Sequence, residues 1–429
     1  MLNYQLTHWG YYGILTAYNV NFFAENKLMS LSEDLAWRGL IKDRTFDDIG
    51  WLDQPKTFYH GVDASSDSMT IGNLAAMLLA RRLLDAGWKA VLLAGGATSL
   101  IGDPKETGER ELKPREEVIK NVESIKQQIS KLFAGKDFTP VDNYDWFKDV
   151  GYLDFLREVG KHYSMTELMQ REFITERMGE AGSGISYAEF SYSLIQGYDY
   201  WQLFKNHQVV LQIGGSDQWG NMLSGVSLVR KKEGQEVHAL SMPLVTNKAT
   251  GVKFGKSEEG AIWLDPRRTT PTEFYQFWIN TDDTNVEDYL KIFTLLSREE
   301  IEQVMALQGN DPAKRLAQKR LADAITITVH GDEGLEVAKQ FTDLLSGSSS
   351  GGTVEAIKLN SGIGVVEALV KTGLASSNTE ARRLMEEKAV YVNNETYGKE
   401  DLDGADFENG RLILRRGKRL QNSVWVELV

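Results

Sequence analysis

Lys253 and Lys256 stand three residues apart on a loop that carries Gly255 between them and Ser257 after them. Lysine brings a compact, strongly hydrated charge, glycine lets the backbone fold close, and the hydroxyl adds a donor. Such a loop can clamp a polyphosphate; a solvated basic hairpin tip has the same pattern. A second stretch ends a strand at Tyr59-His60-Gly61, passes small polar residues (Asp63, Ser65) and opens a helix around Thr70, Gly72 and Asn73. A helix start carries free amide donors and partial positive charge, which suits a phosphate. A plain strand-to-helix turn with Ser and Asp caps reads the same way. In a third set, Tyr192, Gln196 and Asp199 follow i, i+4, i+7 spacing and so share one helix face. Flanked by Phe190, Leu194 and Ile195, they form either the polar wall of a pocket or a buried structural network.

The segments that must position these groups alternate between strand and helix. Thr57–Val62 reads as a short strand, Ile71–Asp85 as a helix with Leu74, Leu78 and Leu79 on one side, and Lys89–Leu93 as a buried strand before Gly95-Gly96. Pro114–Phe133 and Ile185–Asn206 read as long helices, and Val209–Ile213 as a strand leading into Gly214-Gly215-Ser216-Asp217-Gln218. This alternation predicts an α/β fold with a parallel sheet. Ligands of such sheets bind at the carboxyl ends of strands, where the glycine turns lie. The expected organisation is an extension over 1–28, an α/β domain over 29–246 and a mobile loop and connection over 247–270. A helical domain over 271–345, a flexible Gly/Ser linker over 346–352 and a small α+β domain over 353–429 follow.

The 429 residues, 42% hydrophobic and 25% charged, have ordinary globular composition. At about 150 residues per domain they fit two or three domains. The absence of cysteine excludes a disulfide framework and a thiolate metal site, and fits a cytoplasmic location. The six histidines show no H-E-x-x-H or similar spacing, so no metal site is expected. A net charge of −13 argues against unspecific nucleic-acid coating but leaves room for a local basic patch. No segment reaches the roughly 18 apolar residues of a membrane helix. Residues 1–24 carry no Lys, Arg, Asp or Glu and lack the basic start and unbroken apolar core of a signal peptide. They read as a loosely held extension, or as sequence upstream of a start at Met29. Ser30-Leu31-Ser32-Glu33 then begins a capped helix.

The Tyr59–Leu74 turn and the Lys253–Ser257 loop resemble the paired ATP signatures of class I aminoacyl-tRNA synthetases. Gly95–Thr98 with Gly102-Asp103-Pro104, Phe190–Tyr192 with Gln196–Asp199, and Gln212–Gly220 narrow this to the bacterial tyrosyl-tRNA synthetase family, from about Asp34 to the C-terminus. The resemblance implies a Rossmann-type catalytic domain that activates L-tyrosine with ATP, accompanied by Mg²⁺. Tyrosyl-adenylate and pyrophosphate form, and tyrosine then passes to the 3′-terminal adenosine of tRNA(Tyr). It also implies a homodimer. On this resemblance Tyr192, Gln196, Asp103 and Gln218 surround the amino end of tyrosine, and Tyr59 and Asp199 meet its phenol hydroxyl. Gly61, Asp63, Gly72 and Asn73 lie near the triphosphate and nucleoside, Gly215 and Asp217 near the ribose, and the backbone of Leu244 and Val245 near adenine. Lys253, Lys256 and Ser257 take the β and γ phosphates, with Ser65, Thr70 and Asn73 in the same catalytic set. No protein nucleophile is needed, because the tyrosine carboxylate attacks the α-phosphate while the protein aligns the reactants and supplies positive charge.

The chain departs from this pattern in places. The family commonly has histidine on both flanks of Ile71-Gly72, where this chain has Thr70 and Asn73. Ser65 replaces a usual threonine and Ala64 a usual proline. The loop after Pro104 is about one residue short, which leaves the alignment of Lys105 and Arg110 open. Contacts to the γ-phosphate are therefore expected to be weaker or rebuilt, with Lys253 and Lys256 carrying an unusually large share.

Ile363–Val429 resembles the small RNA-binding domain that ends the bacterial enzymes of this family. Val366–Lys371 and Thr379–Glu387 read as short helices, and Val390–Asn393 as a strand and turn. Acidic and basic residues nearly balance there, but Arg382, Arg383, Arg415, Arg416 and Lys418 cluster and are the expected tRNA contacts. The apolar set Tyr152, Phe155, Leu156 and Val159 fits either a dimer interface or core. Two rival readings are an RNA-binding paralogue without activation chemistry, motivated by Thr70, and an ATP-dependent amino-acid ligase with a non-tRNA acceptor. The second would not need residues 353–429.

Overall fold

The computed structural model describes residues 29–104, 111–169, 172–178, 184–246, 248, 256–257, 260–345, 357–393, 395–407, 410–417 and 423–428. The expected extension 1–28 and linker 346–352 lie outside the described residues, as do Lys105, Arg110, Lys253 and Lys418.

Six strands make the main sheet: β1 (Asp43–Arg44), β2 (Thr57–Asp63), β3 (Lys89–Gly95), β4 (Phe138–Asp142), β5 (Leu211–Gly215) and β6 (His238–Met242). Their spatial order is β1-β6-β5-β2-β3-β4. All neighbours run parallel except β1, which pairs antiparallel with β6. Six of the seven β3 residues are buried, as strands covered on both faces require. Side chains alternate across the sheet. Phe58, Val62, Ala90 and Leu92 face one layer, while Tyr59, Val91 and Leu93 face the other.

The first layer is built by α1 (Leu31–Trp37), α2 (Ile71–Asp85) and α3 (Arg115–Leu132), the second by α4 (Tyr187–His207) and α5 (Trp219–Glu233). Ser30 and Glu33 form the capping box that starts α1, as the sequence predicts. α2 buries Ala75, Ala76 and Met77 in addition to Leu74, Leu78 and Leu79, so it is enclosed more widely than a single apolar stripe suggests. α4 opens on a Ser186–Glu189 capping box and ends at Gln208 in a left-handed conformation (φ 57°).

The helical segment contains α6 (Pro271–Ile279), α7 (Val286–Phe293), α8 (Arg298–Asn310) and α9 (Leu316–Leu345), the last interrupted at Gly331 (φ 77°). It is not a separate core. Leu290 and Phe293 of α7 and Leu321 and Ile325 of α9 belong to the same buried cluster as Leu74 and Val122. Two buried arginines tie the parts together. Arg38 donates to the carbonyls of Lys291 (3.0 Å) and Leu296 (2.6 Å), and Arg82 to those of Lys291 (3.2 Å) and Thr294. They satisfy carbonyls at and just beyond the end of α7, where a helix leaves such groups unpaired and favours cations.

The C-terminal domain has its own buried cluster. α10 (Val365–Lys371) and α11 (Asn378–Glu386) accompany a five-stranded sheet of Ile357–Leu359, Val390–Val392, Glu395–Thr396, Arg411–Arg416 and Ser423–Leu428. The two short helices and the Val390 strand follow the sequence reading. Among the described residues no helix is long and apolar enough to cross a membrane.

From β2 the chain moves outward through β3 and β4, then returns to β5 beside β2 and moves the other way to β6. This reversal opens a crevice at the carboxyl ends of β2 and β5, where ligands of doubly wound sheets bind.

Candidate active site

A cavity of about 530 Å³ occupies that crevice, within the usual range of small-ligand sites. Its lining includes Tyr59, Gly61, Asp63, Ser65, Thr70, Gly72, Asn73, Asp103, Tyr192, Gln196, Asp199, Gly215, Asp217, Gln218, Leu244 and Val245. Every residue that the resemblance assigns to tyrosine or to ATP outside the lysine loop thus meets in one place. The i, i+4, i+7 stripe of α4 is a pocket wall rather than a sealed network. Gly95, at the end of β3, is closely surrounded by side chains of two residues that line the cavity. A Cβ on Gly95 would strike Thr98 Oγ1 and lie 2.6 Å from Asp63 Oδ1.

Asp199 is a strongly perturbed carboxylate of the site. It is 2% exposed, and burial raises its pKa from 3.8 to about 8, with the charges of Asp63 and Asp142 adding to the shift. Two donors oppose this: Trp146 Nε1 donates to Oδ1 (2.9 Å) and Asn143 Nδ2 to Oδ2 (3.1 Å). Asn143 also accepts from the Ala97 amide (2.6 Å) and donates to Thr98 Oγ1 (3.1 Å), so its orientation is fixed. Neither Asn143 nor Trp146 was anticipated from the sequence.

Tyr59 lies across the sheet from Gln212, its register partner on β5, so both face the α4 layer. Tyr59 Oη and Gln212 Oε1 are buried without a hydrogen-bond partner among the described residues, and both residues line the cavity. Burial, followed by the Asp199 charge, pushes the Tyr59 phenol well above its usual range. Buried polar atoms are nearly always paired, so two orphans facing one cavity mark where a polar ligand group completes the structure. Gln212 opens the Gln212–Gly220 stretch that carries the resemblance, but the sequence reading gives it no role in the site. His60, on the opposite face of β2, lines the cavity too. Its Nδ1 lies 3.0 Å from the Ile213 carbonyl, and burial lowers its pKa, keeping the imidazole neutral.

A second polar group joins α5 and the turn before it to the segment after Gly96–Ile101, and a further bond joins α4 to β2. Gln218 Nε2 donates to Asp103 Oδ2 (2.8 Å), Asn221 Nδ2 to Asp103 Oδ1 (3.2 Å), and Asn221 Nδ2 also to Gln218 Oε1 (3.1 Å). Tyr192 Oη donates to Asp63 Oδ2 (2.8 Å). Burial first, then Asp63 and Asp103, hold the Tyr192 phenol protonated. The result is a carboxylate-rich recess with fixed donors, suited to an ammonium group.

On the first-signature side, Thr70 and Asn73 are bound to each other. The Thr70 amide and Oγ1 both donate to Asn73 Oδ1, at 2.9 and 3.1 Å. The oxygen of Asn73 is therefore used within the turn, and only its amide hydrogens remain to be offered. The segment after the lysine loop is strapped onto this turn. Ile71 N donates to Ile262 O (3.1 Å), Leu264 N to Met69 O (2.9 Å), and Thr70 and Trp263 form an antiparallel bridge. Lys256–Ser257 pair antiparallel with Gly260–Ala261 in a small hairpin.

Among the described residues, the candidate RNA contacts do not form one exposed basic face. Arg382 and Arg383 are exposed on α11, and Arg383 pairs with Glu387 (3.6 Å). Arg415 is 9% exposed and packs over the Tyr391 ring at 4.8 Å. Arg416 pairs with Glu380 (2.8 Å) and donates to the Leu374 carbonyl (3.2 Å). The stripe at 152–159 divides: Val159 is core, Phe155 packs on Phe147 and Tyr198, and Tyr152 stays exposed beside Leu153 and Tyr187.

Comparison with known proteins agrees with this geometry. The family model for class I tRNA synthetases (W and Y) matches residues 53–346, and that of the tyrosine–tRNA ligase SYY-like C-terminal domain matches residues 350–423. The chain is 42% identical over 426 residues to a tyrosine–tRNA ligase of Neisseria meningitidis, covering 91% of this chain and 98% of that protein. It is 40% identical over 422 residues to that of Leifsonia xyli, covering 92% and 94%. A C-terminally truncated mitochondrial tyrosyl-tRNA synthetase of Aspergillus nidulans superposes with a TM-score of 0.65 at 33% identity, over 75% of this chain and 95% of that one. The chain belongs to the tyrosine–tRNA ligase family of class I tRNA synthetases.

Proposed function

We propose that this chain activates L-tyrosine with ATP to tyrosyl-adenylate and pyrophosphate, then transfers tyrosine to the 3′-terminal adenosine of tRNA(Tyr). The observation that carries the reading is the pair of buried atoms Tyr59 Oη and Gln212 Oε1, without a hydrogen-bond partner among the described residues, in the same cavity as Asp199. A phenol hydroxyl satisfies such a set; a phenylalanine side chain leaves it unpaired, at a cost. The recess of Asp103, Gln218, Tyr192 and Gln196 receives the ammonium group, which leaves the carboxylate toward the first signature.

ATP enters with its Mg²⁺ as substrate. Gly61, Asp63, Gly72 and Asn73 border the triphosphate and nucleoside, Gly215 and Asp217 the ribose, and Leu244 and Val245 the adenine. With Thr70 and Asn73 engaged with each other, the first turn supplies hydrogen-bond donors and the start of α2 but no side-chain cation. Lys253, Lys256 and Ser257 therefore carry most of the charge stabilisation of departing pyrophosphate. The chemistry is alignment plus electrostatics, with no covalent protein intermediate.

In the C-terminal domain, the exposed Arg382 and Arg383 are the better candidates for tRNA contact than Arg415 and Arg416, which serve the domain's own packing and ion pairing. A cytoplasmic homodimer is part of the reading, with Tyr152, Leu153 and Tyr187 as its exposed apolar surface. Charging of tRNA(Tyr) with labelled tyrosine by the full chain, and by a form lacking residues 353–429, tests the whole reaction. Charging should fall sharply on truncation while adenylate formation persists. Equal charging by both forms would favour an acceptor other than tRNA.

A further inference from the structure

The turn from Ala64 to Met69 carries Ser65 and leads into Thr70, yet much of its order comes from outside. In place of the proline usual in the family it has Ala64. On one side stands Gln128 of α3. Its Nε2 donates to the Asp67 carbonyl (3.0 Å), and its Oε1 accepts from the Met69 amide (2.9 Å) and lies 3.3 Å from Ser68 Oγ. One side-chain amide thus pairs with the turn much as a neighbouring strand would. Asn121, two turns before Gln128 on the same face of α3, donates to the Ala64 carbonyl (3.1 Å).

On the other side stands Arg268, at the end of the strap that follows the lysine loop. Its Nη1 donates to Ser66 Oγ (2.5 Å) and to Asp67 Oδ1 (2.7 Å). The guanidinium lies 3.6 Å over the ring of Trp263, the residue bridged to Thr70. The Asp265 amide adds a bond to Ser68 Oγ (3.1 Å). Gln128 and Arg268 both stand outside the cavity lining, so neither is placed to touch a substrate there.

We propose that Gln128 and Arg268 are positioning residues that clamp the first-signature turn from opposite sides and fix where its groups meet ATP. Arg268 also fastens the segment that follows the lysine loop to that turn. The proposal rests on the reading of this turn as an ATP site. Small displacements of aligned groups cost rate far more than they cost binding of a remote substrate. The clamp therefore acts on ATP chemistry and leaves tyrosine recognition alone.

The test uses the full chain with Gln128→Leu, Arg268→Met and Arg268→Lys. Three quantities are read: tyrosine-dependent ATP–pyrophosphate exchange, tyrosine Kd by intrinsic fluorescence, and ATP Kd. Gln128→Leu and Arg268→Met are expected to lower exchange kcat about tenfold, with tyrosine Kd within about twofold of wild type. Arg268→Lys should recover part of the loss, because it keeps the ion pair to Asp67. In a Ser65→Ala background the further loss from Gln128→Leu should shrink, since both act through one turn. Should Gln128→Leu fail to fold, Arg268→Met at the partly exposed position carries the test. Wild-type exchange kcat in both variants, tyrosine Kd weakened as much as exchange, or strictly multiplicative losses with Ser65→Ala would each overturn the clamp. If the wild-type chain shows no exchange, the proposed function itself fails. The clamp is then judged on ATP Kd, and unchanged values in the variants overturn it.

Discussion

Removal of a single oxygen, in Tyr59→Phe, should stabilise the empty protein and weaken tyrosine recognition together. Tyr59 is 2% exposed, its ring meets Tyr200 edge-on at 5.1 Å, and its hydroxyl has no hydrogen-bond partner among the described residues. A buried polar group left unpaired costs about 1–3 kcal/mol. The substitution relieves that cost and leaves the ring packing in place. A gain of 1 kcal/mol moves the unfolding midpoint by about 2–4 °C for 150–250 residues, so a rise of a few degrees is expected. With substrate present the sign reverses. A neutral hydrogen bond contributes about 0.5–1.5 kcal/mol, which corresponds to roughly 2- to 12-fold in kcat/KM for tyrosine. Phenylalanine brings no hydroxyl, so its kcat/KM should hold or rise. Ligand-free thermal unfolding and pyrophosphate exchange with both amino acids read the two halves separately. A lower midpoint combined with an unchanged tyrosine-to-phenylalanine ratio would refute the reasoning, because it would mean the hydroxyl is paired within the fold.

Asp199 gives a pH signature. Its pKa is raised from 3.8 to about 8, so between those values the folded chain binds more protons than the unfolded one. Its stabilising contribution is complete below pH 3.8 and declines as pH rises toward about 8. Asp199→Asn should flatten that decline in a series of unfolding midpoints, and an unaltered slope would count against the buried acid. Lys256→Ala should lower exchange kcat by about 10²-fold or more with a smaller change in ATP Kd; an equal loss in binding alone would contradict stabilisation of the departing phosphates. Arg382→Ala with Arg383→Ala should weaken tRNA binding and reduce its salt dependence while exchange is retained. Full tRNA affinity in that double variant would move the RNA surface elsewhere.

Much of this site was legible because it rests on local periodicity and turn chemistry. The spacing of Tyr192, Gln196 and Asp199 needs only helical geometry, and the Gly61 and Gly215 turns need only a parallel sheet. Asn143 and Trp146 were not legible, since the segment after β4 has no periodic signal. It reaches Asp199 only through the β3–β4 pairing and the packing of α4. Gln212 stands within an apolar strand, and its place in the site follows only from its register with Tyr59. Arg415 and Arg416 read as a basic cluster, but strand alternation sends them apart, one onto Tyr391 and the other to Glu380. The same limit applies to Phe155 and Val159, whose burial depends on Tyr198 and its neighbours rather than on their own spacing. The helical segment was legible as helices but not as part of the main core, because Arg38 and Arg82 are far from α7 in sequence.

The central claim is that the cavity beside β2 and β5 selects tyrosine for activation by ATP. The family includes both tryptophan and tyrosine enzymes, so the most direct measurement is ATP–pyrophosphate exchange by the full chain with tyrosine and with tryptophan as the added amino acid. Exchange should saturate with tyrosine and stay at background with tryptophan. Exchange driven by tryptophan, or none with tyrosine, would contradict it.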